Sequence, residues 1–195
     1  MTARPLAVLV VCTANQCRSP MGEAIARRAL ERAGIDAAVA SAGTHAVEGV
    51  PATEGAELTV HKLGLDVSRH LSRPIDEALI AHASMVWCME RMHVVEVCRV
   101  WPDAFSKTFT VKDLARRTID CHRHPSEPVD HWLLRVGEGR TTAEMLGHSP
   151  DDDIADPIGR SLRRYRRAAE SITLAVETVV VGLNGPPPAS GHAGG

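Results

Sequence analysis

Hydrophobic and polar positions change period along the chain in a way that predicts its elements in turn. "PLAVLVV", Pro5 to Val11, is a continuous β-rich apolar run, the pattern of a central strand in a parallel sheet covered on both faces. Ser19 then stands as a helix N-cap with Pro20 as first helical residue, Met21, Ile25 and Ala29 recur on one face, and Gly34 ends the helix. "AAVASAGT" predicts a second short strand, Thr53 to Leu63 a helix stopped by Gly64, and "SMVWCM", Ser84 to Met89, a third strand. A helix of about ten residues follows to Val100, broken at Pro102, and "KTFT" predicts a short fourth strand. Alternating strands and helices imply right-handed βαβ units and an α/β, doubly wound, three-layer domain with a four-stranded parallel sheet.

From about Thr118 to Ser149 the pattern weakens: Pro125, Pro128, Gly137 and Gly139 interrupt it, and only "VDHWLLRV" has the spacing for a turn or two of amphipathic helix. We read an insertion lying over the surface. Order returns with Leu162, Tyr165, Ala169, Ile172, Val176, Val179 and Leu183 at helical spacing, a closing helix. One domain over residues 1–183 is expected, with 184–195, a Pro/Gly/Ala-rich stretch, as a disordered tail.

Composition narrows the functional classes. Lys+Arg 22 against Asp+Glu 24 gives a net charge of -2, so no bulk attraction to nucleic acid or anionic membrane is expected. The first apolar run is too short for a membrane span or a secretory signal, which points to the cytoplasm. The 5 cysteines, Cys12, Cys17, Cys88, Cys98 and Cys121, are odd in number and lack framework spacing, as expected of reduced thiols. "CHRHPSEPVDH" gathers Cys121, His122, His124 and His131 at spacings that fit no common zinc pattern, and no metal or other cofactor is expected.

The chemistry concentrates in "VCTANQCRSP", Val11 to Pro20. A free thiol is mostly protonated at neutral pH. Cys12, at a strand-to-helix junction where backbone N–H groups converge and Arg18 lies close, meets groups that stabilise a thiolate, and the same cradle fits a tetrahedral dianion. Arg18 can offer two parallel hydrogen bonds to phosphate oxygens, and Ser19 can donate to the thiolate. C-x5-R alone is weak. Of the five cysteines, however, only Cys12 has an arginine at that spacing and also lies at such a junction. Phosphoryl transfer to sulfur further needs an acid for the departing oxygen and a base for water. Asp156, in "DDDIADPIG", is held extended before Pro157, and Asp151, Asp152 and Asp153 stand where like-charge repulsion would raise its pKa. Arg160, Arg163, Arg164 and Arg167 line one side of the closing helix; most such faces are merely solvated, but closeness to Asp156 would let this one steer anionic substrates.

These motifs, with "SAGT" at Ser41 to Thr44, "SRH" ending at His70 and "DIADPIGRS" before the last helix, resemble the low-molecular-weight protein tyrosine phosphatases from Pro5 to about Leu183, apart from the insertion. The order is diagnostic, since the acid follows the nucleophile here and precedes it in the larger tyrosine phosphatases. The resemblance implies the phosphotyrosine phosphatase I-like fold and phosphomonoester hydrolysis through a cysteinyl-phosphate. It makes Cys12 the nucleophile, Arg18 the phosphate clamp, Ser19 the thiolate partner and Asp156 the acid and base. Thr13, Ala14, Asn15, Gln16 and Cys17 complete the phosphate loop, Asn15, Ser41 and His70 hold it in shape, and Cys17 is the second thiol able to close a disulfide onto Cys12. The implied substrate is a phosphotyrosine protein or a small aryl phosphate; homodimers occur in related proteins, but nothing in the sequence marks an interface.

Two departures bear on this. Ala14 stands where the family usually has glycine, so either its φ is negative or strain is stored. Ile158 stands where an aromatic would stack on a phosphotyrosine ring, and the opposite wall offers only His45. Two alternatives stay open: an arsenate reductase of the same fold using a small external thiol, and a catalytically weak phosphoprotein-binding module. A thioredoxin-coupled reductase is disfavoured, because Cys88 and Cys98 are far apart in sequence and Cys88 falls inside a strand.

Overall fold

A computed structural model of the chain describes residues 5–185; the last ten residues of the predicted tail lie outside them. Strands β1 (Leu6–Cys12), β2 (Ala37–Gly43), β3 (Met85–Cys88) and β4 (Thr108–Thr110) form one sheet in the order β2-β1-β3-β4, all pairs parallel. Successive side chains of β1 point to opposite faces. Val8, Val10 and Cys12 enter one core with helices α1 (Arg18–Arg32), α2 (Glu54–His61) and α7 (Leu162–Asn184), whereas Leu9 and Val11 enter the other, beside α3 (Glu77–His82) and α4 (Arg91–Val100). That is the three-layer doubly wound arrangement the sequence predicts.

Burial on both faces explains why β1 reads as unbroken apolar sequence. α1 lies directly over it at Gly22, where an added Cβ would come within 2.8 Å of Met89 Cε and 3.0 Å of Val10 Cγ1. In this strand order the switch point lies beside β1, so the loops after β1, β2 and β3 meet at one edge.

Three expectations need correction. Ser19 is not the N-cap of α1: the helix starts at Arg18 with Cys17 before it and no side-chain cap, because the Ser19 hydroxyl is used elsewhere. Two helices were not anticipated, α3 and α5 (Val111–Thr118). Asp76 caps α3, only six residues long, and Thr110 is both the last residue of β4 and the cap of α5, so no turn residue separates strand from helix. Finally, residues 118–149 do not simply lie over the surface. Their helix α6 (Val129–Val136) forms where the spacing predicts one and buries Trp132, Leu133 and Val136 in the core, as Met145 is buried beside α4. Among the described residues no helix is long and apolar enough to cross a membrane.

Candidate active site

The loop from Thr13 to Cys17 leaves β1 and turns directly into α1. Its carbonyls are tied from outside: Thr44 N donates to Cys12 O and His45 N to Thr13 O, both at 2.9 Å, and Thr53 N donates to Gln16 O at 2.9 Å. His70 Nε2 donates to Asn15 O at 2.6 Å. Carbonyls held outward turn the intervening amides inward, the form of an anion-binding nest. Asn15 adopts φ 55, the one positive φ of a non-glycine among the described residues, so Ala14 stores no strain of that kind. Gly43 of "SAGT" lies behind the loop, where a Cβ would fall 2.5 Å from Thr13 O and 2.9 Å from Asn15 N; only glycine permits that approach.

A directed chain of hydrogen bonds reaches the thiol. Asn15 Nδ2 donates to Ser41 Oγ at 2.9 Å and to Ser19 Oγ at 2.8 Å. Ser41 in turn donates to Glu23 Oε2 at 2.7 Å. Ser19 Oγ lies 3.0 Å from Cys12 Sγ; because it already accepts from Asn15, its own proton is free for the sulfur. Arg73 N fixes the other end of the amide by donating to Asn15 Oδ1 at 3.0 Å. All of Cys12, Asn15, Ser19 and Ser41 are buried, a setting in which a complete network holds one geometry.

Arg18 is also buried, at 1% exposure. Its Nη1 donates to Glu90 and, at 2.8 Å, to Ile154 O, and its Nη2 donates to Asp156 Oδ2 at 2.7 Å and Thr13 Oγ1 at 3.4 Å. Its buried Nε–H meets no acceptor in the protein, a costly state unless an anion is meant to meet it. The acid loop is anchored on the same spot, with Ile154 N donating to Met89 O at 2.8 Å and Asp156 Oδ1 accepting from Ile158 N at 3.0 Å. Asp156 therefore faces Arg18 and does not simply point off its loop. Asp152 and Asp153 are taken up by partners of their own. Burial opposes charge on Asp152, but Arg116 and Arg91 outweigh that and hold its carboxyl below the usual range, while Asp153 accepts from Arg91 N and Ser149 N at 2.9 and 2.8 Å. Both brace the loop.

Glu90 and His93 were not anticipated, although Glu90 follows the carboxyl end of β3 across the switch point, where ligand-facing groups gather. His93 Nδ1 accepts from Glu90 N at 3.1 Å; an amide only donates, so the ring proton sits on Nε2, which donates to Thr13 Oγ1 at 2.9 Å. Burial, then the charge of Arg18, push His93 down to about 3, leaving a neutral ring. Cys17 lies 3.3 Å from Thr53 Oγ1 and 3.6 Å from Tyr165 OH, and burial raises its thiol. Cys88 is buried inside β3 and its thiol is raised well above the usual value by desolvation. Among the described residues no group of three or more His, Cys, Asp or Glu is placed to hold a metal ion. Ile158 and His45 are exposed, and Tyr165, the one tyrosine, is buried.

A family model, the low molecular weight phosphotyrosine protein phosphatase, matches residues 7–132, and the chain belongs to this family: it is a phosphatase with a cysteine nucleophile. Among its relatives, a low molecular weight protein-tyrosine-phosphatase, Ptp, of Acinetobacter johnsonii is 32% identical over 130 residues, covering 66% of this chain and 89% of that one. A protein-arginine-phosphatase of Geobacillus stearothermophilus is 28% identical over 173 residues, covering 89% and 93%. The crystal structure of a low molecular weight protein tyrosine phosphatase from T. tengcongensis superposes with TM-score 0.68 at 28% identity, covering 90% and 97%.

Proposed function

We propose that the chain dephosphorylates proteins, phosphotyrosine first, with Cys12 as nucleophile, Arg18 as clamp and Asp156 as acid and base. The phosphate lies in the nest of amides from Thr13 to Arg18, with two oxygens on Arg18 Nε and Nη2. It takes over the guanidinium edge that Asp156 contacts, and the released carboxyl turns to the ester oxygen. The Cys12 thiolate attacks phosphorus as the P–O bond to the aryl group breaks, and Asp156 gives its proton to the departing oxygen. Water then attacks the thiophosphate, its proton passing to Asp156, and the electron pair of the S–P bond returns to Cys12, where the Ser19 hydroxyl meets it. Arg18 and the amides supply the electrostatics throughout.

The observation that carries this reading is the buried, unpartnered Arg18 Nε–H in the same loop as a Ser19-bonded Cys12. Hydrolysis of an aryl phosphate under reducing conditions tests it: turnover inhibited by orthovanadate and abolished in Cys12→Ser is expected. Persistence of turnover in that variant would remove Cys12 as nucleophile. Asp156→Ala should still bind phosphopeptide while turning over about 10²–10⁴-fold more slowly; a binding module without turnover would show no such difference.

A second substrate, protein phosphoarginine, is favoured by one feature, the exposed Ile158 and His45 where aromatic walls would flank a tyrosine ring, and an arginine phosphatase is among the relatives. Paired assays on phosphotyrosine and phosphoarginine peptides decide between them. We further read residues 118–149 as an insertion within a single domain of residues 1–183, and the cytoplasm as the place of work, where a reactive thiol stays reduced.

A further inference from the structure

An open cleft of about 590 Å³ runs from the acid loop along the start of α7, lined by Asp153, Asp156, Arg160, Arg164, Arg167 and Ser171 among others. Arg164 and Arg167 stand three apart on α7, Arg160 lies just before its N-cap Ser161, and all three are exposed; Arg163, which the sequence placed with them, does not line the cleft. The two carboxylates in the cleft are both engaged elsewhere, Asp153 with the amides of Arg91 and Ser149 and Asp156 with Arg18 and the Ile158 amide. Among the described residues the guanidinium groups of Arg160, Arg164 and Arg167 make no hydrogen bond or ion pair.

This arrangement costs the fold something. Helix α7 has no acidic residue in its first turn, and cations there oppose the helix dipole. Several arginines elsewhere are paired, Arg116 with Asp113 and Asp152, Arg117 with Asp113, and Arg135 with Glu127. What sets Arg160, Arg164 and Arg167 apart is that all three unmatched guanidinium groups share one concavity, whose rim is the acid itself, where the substrate must lie.

We propose that this cleft is a docking subsite for an acidic stretch of the substrate protein, carboxylate or second phosphate side chains flanking the phosphorylated residue. Arginine offers a planar fork to either anion. From Ser161 to Arg167 the helix rises about 9 Å, the length of about three extended residues, so the preferred acidic positions are the few next to the phosphoresidue on one side. The proposal rests on the phosphatase reading, with Asp156 fixing where the phosphoresidue sits.

The test compares kcat/KM for three phosphotyrosine peptides, one flanked by glutamates, one by a second phosphotyrosine and one by alanines, with a small aryl phosphate as control. The wild type and Arg164→Gln/Arg167→Gln are assayed at low and high salt. The wild type should favour the acidic peptides about tenfold or more at low salt, with the preference reduced by salt. The double variant should lose it while hydrolysing the aryl phosphate as before; Arg160→Gln added to it should remove any remainder. The glutamate and phosphotyrosine arms show which anion is preferred. Equal rates on the three peptides, or a preference that survives in the variants, would overturn the docking proposal. Absence of aryl phosphate turnover in the wild type would instead overturn the phosphatase reading, and docking would then be judged by fluorescence polarisation: equal affinity for acidic and alanine peptides would sink it.

Discussion

Two buried arginines organise two regions of this molecule. Arg18, at the start of α1, holds its Nη atoms against Glu90, Ile154 O and Asp156, and its Nε–H has no protein partner. Arg140, after α6, is equally enclosed, with its side chain 2% exposed and 3.5 Å from Asp113 Oδ2. Its guanidinium lies 3.7 Å from the centroid of Phe109 and 4.5 Å from that of Phe105, and its Nη atoms donate to Phe105 O and Thr108 O at 3.3 and 2.7 Å. Neither Nε–H has a hydrogen-bond acceptor in the protein, although that of Arg140 faces Asp113 Oδ2 as an ion pair. The difference lies in the walls. Aromatic faces close over Arg140, whereas the loop after β1 turns amides toward the space beside Arg18. Burial of a cation therefore does not by itself identify an anion site; the polar groups that converge with it do. Burial also pushes Arg140 down to about 10, still fully charged at neutral pH.

Substitution should separate the two roles. The largest expected effect is in Arg18→Lys, which keeps the charge and loses the planar fork: kcat/KM on an aryl phosphate should fall about 10²–10³-fold, with the denaturation midpoint little changed. Near-normal turnover would deny that Arg18 meets the phosphate. Next is Arg140→Met, which removes a buried cation while Asp113 keeps Arg116 and Arg117. Stability should fall by about 2 kcal/mol, read from urea denaturation, and kcat per folded molecule should not change. A loss of kcat instead would make the 118–149 segment part of the site.

How legible each region was in sequence follows the same division. Cys12, Arg18 and Ser19 lie within one turn, so their spacing carried the chemistry, and continuous apolar sequence carried β1 because both its faces are buried. Glu90, His93 and Glu23 join the site through single long-range contacts that leave no spacing to read. Ser19 misled as a cap because serine before proline normally serves the backbone, whereas here its hydroxyl serves Cys12. The surface reading of 118–149 failed on Trp132 and Arg140: prolines and glycines break the periodicity, and single anchors carry the packing between them. α5 was hidden because Thr110 ends β4 and caps the helix at once.

The smallest effect tests whether His93 belongs to the Arg18 region as a structural brace. Its ring is buried and neutral, pushed from 6.5 to about 3 by burial first and by Arg18 second. In the unfolded chain it takes up a proton near its ordinary value, so between pH 6.5 and about 3 the unfolded state binds more protons than the folded one. Stability is thus fully present above pH 6.5 and falls as pH drops through that window, by about 1 kcal/mol per pH unit from this group. His93→Gln retains an acceptor for the Glu90 amide and a donor for Thr13 but cannot titrate. Measured by urea denaturation from pH 7 to 4.5, the variant should lose stability with acid less steeply than the wild type by that amount, whatever its stability at pH 7. Parallel slopes would mean that His93 protonates within the folded protein, and that the Glu90–His93–Thr13 chain does not hold its neutral form.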